Sequence, residues 1–167
     1  MNYDDQLRNL GEQIRRDQER EDSLPLRPAL VFETTHDLVS FLRKRPITKS
    51  VEVTTLPSFL RRFRTSLALR IDDVSSALGL APEDLAKLER IDCLPWTIST
   101  HSVALILSAY RIHIDALHFL TQNSYEIARV SRKLSYPNSA ARVVQTWLGE
   151  VRAELEVLEE RALLHDS

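Results

Sequence analysis

The 167-residue chain is 43% hydrophobic and 28% charged, which suits one globular domain with additions at its ends. Its one cysteine, Cys93, excludes an internal disulfide and points to a reducing compartment. No apolar run reaches the roughly 18–20 residues of a membrane span, and the charged first 25 residues do not fit a secretory signal. The expectation is a cytoplasmic chain with no membrane contact, and three glycines in all predict helices joined by tight connections.

The net charge of −2 is unevenly distributed. Residues 1–23 carry four basic and seven acidic side chains, a net −3. Residues 41–70 carry eight basic residues (Arg43, Lys44, Arg45, Lys49, Arg61, Arg62, Arg64, Arg70) against Glu52 alone, a net +7. Residues 71–90 return to −3. A basic block in a mildly acidic chain suits either contact with a polyanion or a solvated helix face.

In chain order, Tyr3, Leu7, Leu10 and Ile14 form one apolar stripe of a first helix. Prolines 25 and 28 end it. Residues 29–33 read as a short strand or buried coil, and 51–53 as a second minor strand. Thr34–Asp37 reads as a cap opening a short helix with Leu38, Phe41 and Leu42 on one face, stopped by Pro46. Residues 47–55 read as an extended link.

Five closely punctuated helices follow. The first runs over 57–66, with Phe59, Leu60, Phe63 and Leu67 at core spacing, and the second over 71–78, burying Val74, Ala77 and Leu78. Gly79–Ala81 is the turn, and Pro82 opens the third, with Leu85 and Leu88 inward. After a loop at 93–96, the fourth spans 100–110 and the fifth starts near Ile112. A turn at Tyr136–Asn138, with Asn138 or Ser139 as cap, opens a long helix to about Leu164. Its residues Val144, Leu148, Val151, Leu155 and Leu158 alternate three and four apart, a coiled-coil type of seam. The seam suits pairing between chains or docking on the chain's own domain.

The string from Leu60-Arg61-Arg62-Phe63-Arg64 through Ile71–Leu78, Gly79-Leu80-Ala81-Pro82 and Leu88-Glu89-Arg90 resembles the Cro/phage-repressor (XRE) helix-turn-helix family. Pro95 and the closing pattern Ala109–Leu117 also match, with Arg111 where the family usually has glycine. The resemblance covers a little over a third of the chain. It implies an all-α fold: a five-helix domain over 56–122, an N-terminal extension over 1–55, and a C-terminal helical segment over 123–167 as candidate dimerisation helix. It implies a DNA-binding transcriptional regulator acting as a homodimer on an inverted repeat. Pro82, Glu83, Ala86 and Lys87 then face bases from the third helix. Arg61, Arg62, Arg64, Arg70 and Arg90, with an arm of Lys44, Arg45 and Lys49, contact phosphates.

The sequence departs from the family at the reading surface. Relatives often carry Gln, Arg, Ser or Asn there, which can bond base edges in pairs. Pro82 offers only apolar contact, and Glu83 and Asp84 either repel phosphates or simply suit the helix N-terminal dipole. The second reading is therefore a protein-interaction module, antitoxin-like or a regulatory adaptor, with a partner encoded nearby. No glycine-rich phosphate loop is present, and the five histidines show no metal-ligand spacing, so neither enzyme activity nor a metal or cofactor is expected.

Overall fold

A computed structural model of the chain describes residues 2–25, 28–131 and 137–166, and within them the fold is all-α. Helix α1 (Tyr3–Asp22) is capped by the Asn2 side chain, which accepts from the Asp5 amide at 2.8 Å. It buries only Leu7 and Ile14 of its stripe; Tyr3 is 59% exposed. Helix α2 (Thr35–Arg43) is capped by Thr34 and buries Leu38 and Leu42. Helices α3 (Leu56–Ser66), α4 (Ile71–Leu78) and α5 (Pro82–Leu88) follow with short connections. A 3-10 turn at Pro95–Thr97 replaces the loop expected there; its proline has no amide proton to leave unpaired. Helices α6 (Thr100–Tyr110), α7 (Ile114–Val130) and α8 (Pro137–Asp166) complete the chain.

The two expected strands do not form. Val31 and Val53 are exposed, and neither segment has a neighbouring chain to complete a ladder. The Leu30 amide donates instead to the Ala68 carbonyl at 2.7 Å. Thr48, just outside the second segment, forms a parallel bridge with Ile112: its amide donates to Arg111 at 2.8 Å and its carbonyl accepts from His113 at 2.8 Å. At the other end, Asn138 and Ser139 lie inside α8 rather than capping it, and the turn expected at Tyr136 falls outside the described residues.

The connections explain the placement of α3 to α6. Gly79 closes α4 at φ 68°, in the left-handed region where a Cβ is costly, and its amide donates to Ser75 and Ser76 carbonyls. Arg111 closes α6 in the same region, at φ 58°. An arginine here brings a compensating contact: its Nη1 donates to the Arg43 carbonyl at 3.0 Å, tying the end of α6 to the end of α2. His113 caps α7 by accepting the Asp115 amide on Nδ1.

One buried cluster runs through the molecule from Leu38 and Leu42 of α2 to Val144, Trp147, Leu148, Val151 and Leu155 of α8. Helix α2 packs on α4 and α6, and α8 packs on α6, α7 and the 3-10 turn. Trp147 donates its ring N–H to the Ile98 carbonyl at 2.9 Å, fixing α8 on the segment after that turn. Both extensions thus share the core of the five central helices. The boundary expected between 122 and 123 falls inside α7. Helix α1 lies on α7 and passes close to it at Gly11, where a Cβ would meet Ile127 Cγ2 at 3.1 Å.

Candidate nucleic-acid interface

The segment expected from the sequence to form a helix-turn-helix comprises α4, the Gly79 turn and α5. Val74, Leu85 and Leu88 are fully buried and hold the pair against the domain. Pro82, Glu83, Asp84, Ala86 and Lys87 are all exposed, so α5 presents a solvent face made of the residues expected to face bases. That face carries two carboxylates and one ammonium group. Ile71, at the α4 N-terminus, is half-buried beside the exposed Asp72 and the part-exposed Asp73.

Most residues expected to contact phosphates have partners within the chain. Arg64 is the extreme case. Its guanidinium spans both Glu89 oxygens, with Nε–Oε2 and Nη2–Oε1 both at 2.8 Å, and Nη1 donates to the Leu69 carbonyl at 2.8 Å. The side chains are 13% and 4% exposed. This pair fastens α3 to the end of α5 and is structural. Arg64 is therefore removed from the phosphate-contacting set.

Arg61 pairs with Asp22, and Arg62 with Glu21 at 3.2 Å, both partners lying at the end of α1. Arg70 pairs with Asp73 at 2.9 Å and Arg90 with Asp92 at 3.5 Å. The hydrogen bond and nearby charge of Asp73 raise the Arg70 pKa. Arg45 lies over the Phe63 ring at 4.8 Å, and Phe63 also stacks on Tyr110, centroids 4.3 Å apart. Lys44 and Lys49 are exposed with no ion-pair partner among the described residues. The expected arm is not free, because the Thr48 bridge to Ile112 ties it down.

The sequence reading missed these pairings. Glu89 carries no local sign of burial, since its partner is 25 residues away. The α1–α3 pairing did leave a trace in the opposite charges of residues 1–23 and 41–70. Of the expected seam, Val144, Leu148, Val151 and Leu155 are buried and Leu158 is partly buried, all within this chain. The seam docks on its own domain, and Val144, Leu148, Val151 and Leu155 are not available as an interface between chains.

Two other groups are tuned by their surroundings. Burial pushes the Cys93 thiol up to about 11, only partly opposed by the charge of Lys87. Burial likewise raises the Tyr110 phenol, helped by Glu89. Neither is poised as a nucleophile or base near neutral pH. No group of three or more His, Cys, Asp or Glu side chains arranged to hold a metal occurs among the described residues, and no helix there is long and apolar enough to cross a membrane. No family model, no curated protein and no solved structure matches the chain.

Proposed function

We propose that the chain is a DNA-binding transcriptional regulator of the Cro/repressor helix-turn-helix type. The observation that carries this reading is the α4–Gly79–α5 unit. Its inner residues are fully buried, and the face of α5 bearing Pro82, Glu83, Ala86 and Lys87 is covered by no other element. In such a unit the second helix enters the major groove while the first crosses the backbone. Lys87 supplies a cation to the groove wall, Ala86 and Pro82 apolar contact, and Glu83 an acceptor for a cytosine amino group. Arg61, Arg62, Lys44 and Lys49 supply affinity without sequence preference.

The test is binding of the full chain to the DNA upstream of its own coding region at two salt concentrations. Binding that weakens with salt, with sequence preference altered by Glu83→Gln or Lys87→Ala, supports the reading. Absence of binding at low salt removes it.

A second reading is favoured by one observation: Arg61 and Arg62 are already paired with Asp22 and Glu21, while Asp72, Asp73, Glu83 and Asp84 surround the reading face. An acidic face of this kind suits a basic protein partner, with the domain acting as an adaptor or antitoxin-like module. Stoichiometric co-purification with a basic partner, abolished by Glu83→Lys, would favour this second reading over DNA binding.

A further inference from the structure

We infer that α1 is an intramolecular competitor for DNA, its acidic end occupying the cations that the backbone would otherwise engage. The inference rests on the DNA-binding reading and adds a mode of regulation to it. Asp22 and Glu21 pair with Arg61 and Arg62 across 39 and 41 residues of sequence, so the contact is tertiary and not an ordinary pair along one helix. These are two of the phosphate-contacting candidates, and a carboxylate is the simplest chemical mimic of a phosphate oxygen for a guanidinium.

The hold on α1 is thin, as a displaceable competitor requires. Of its 20 residues only Leu7 and Ile14 are buried. Asp4 at its other end pairs with Arg129 at 2.9 Å, a part-buried contact whose hydrogen bond holds the Asp4 carboxyl below its ordinary range. A groove of about 350 Å³ lies beside it, lined by Arg8, Glu12 and Arg15 on one side and Ile91, Ile127 and Val130 on the other. The groove opens beside residues 8–15 of α1, while Gly11 packs closely on Ile127. Ile91 belongs to the segment that follows α5, so α1 runs beside the loop adjoining the reading helix.

The experiment compares the full chain with Glu21→Gln/Asp22→Asn in anisotropy titrations of a 30-base-pair duplex across a salt series. The control variant Glu12→Gln/Asp17→Asn removes the same charge from the same helix but touches neither arginine. Freeing two arginines should tighten binding about tenfold at low salt and steepen the log–log salt dependence by about two. The control should stay within about twofold of wild type, and Arg61→Ala/Arg62→Ala in the freed background should abolish the gain. If wild type binds and Glu21→Gln/Asp22→Asn binds no more tightly, or the control gains as much, the competition is refuted and the DNA reading survives. If none of the proteins binds DNA at low salt, both fall together. Circular dichroism of each variant confirms the fold, and these exposed pairs should leave it intact.

Discussion

Arg64 and Glu89 fasten α3 to the end of α5. Each charge is nearly out of water; the two side chains pair bidentately, and Arg64 also donates to the Leu69 carbonyl. Removing one partner strands the other in a low-dielectric setting, which typically costs about 3–5 kcal/mol, whereas replacing both with apolar groups is often near neutral. Arg64→Ala should therefore destabilise the chain by about 3 kcal/mol in urea unfolding, and Arg64→Met/Glu89→Leu by much less. Equal losses would mean the pair is not the compensated unit described here. Cys93 offers a pH test at the same scale. Its folded-state pKa is raised to about 11 from an ordinary 9.0, so the fold favours the protonated thiol. The stability this contributes is present below pH 9.0 and is lost as pH rises through about 11. Alkylation of the native chain at pH 8 should be slower than alkylation of the urea-unfolded chain; comparable rates would contradict a partly buried thiol with a raised pKa.

The helices from α3 to α5 follow the sequence reading closely, because their boundaries are set by local chemistry: Thr55 capping α3, the left-handed Gly79, and Pro82 opening α5. Arg111 takes the left-handed conformation at φ 58°, and its contact with the Arg43 carbonyl joins residues 68 apart. What was not legible depends on distant partners. The 29–33 and 51–53 segments have strand-like composition, but a strand needs a neighbour that composition cannot supply. The ionic state of Arg61, Arg62 and Arg64 likewise depends on residues far away in sequence, so exposed cations were expected where ion pairs stand. One turn retains avoidable strain. Ala68 sits at φ 55° between α3 and α4, with its carbonyl accepting from Leu30. A left-handed residue with a Cβ costs roughly 1–2 kcal/mol. Ala68→Gly should stabilise by about 1 kcal/mol and raise Tm by about 2–4 °C. A lower Tm would show that the Ala68 methyl group is needed for packing.

Across the whole molecule, α8 changes from a candidate link between chains to part of the fold. Val144, Leu148, Val151 and Leu155 are buried with α6 and α7, and burial of each such side chain contributes about 1.5–3 kcal/mol. Val151→Asp would place a charge at a site with no exposure. It should abolish cooperative thermal unfolding, whereas a seam between chains would instead yield a folded, dissociated subunit by sedimentation. The two extensions also act differently. Helices α2 and α8 complete the core, while α1 rests on its surface and spends its acidic end on two arginines of α3.

The most direct test of DNA binding through α5 is an anisotropy titration of the full chain with its upstream DNA against scrambled DNA at about 50 and 200 mM salt. Salt-dependent binding is expected, tighter to the upstream fragment, with the preference lost in Glu83→Gln or Lys87→Ala while the residual affinity remains. No binding at the lower salt, or a preference unchanged by both substitutions, would contradict it.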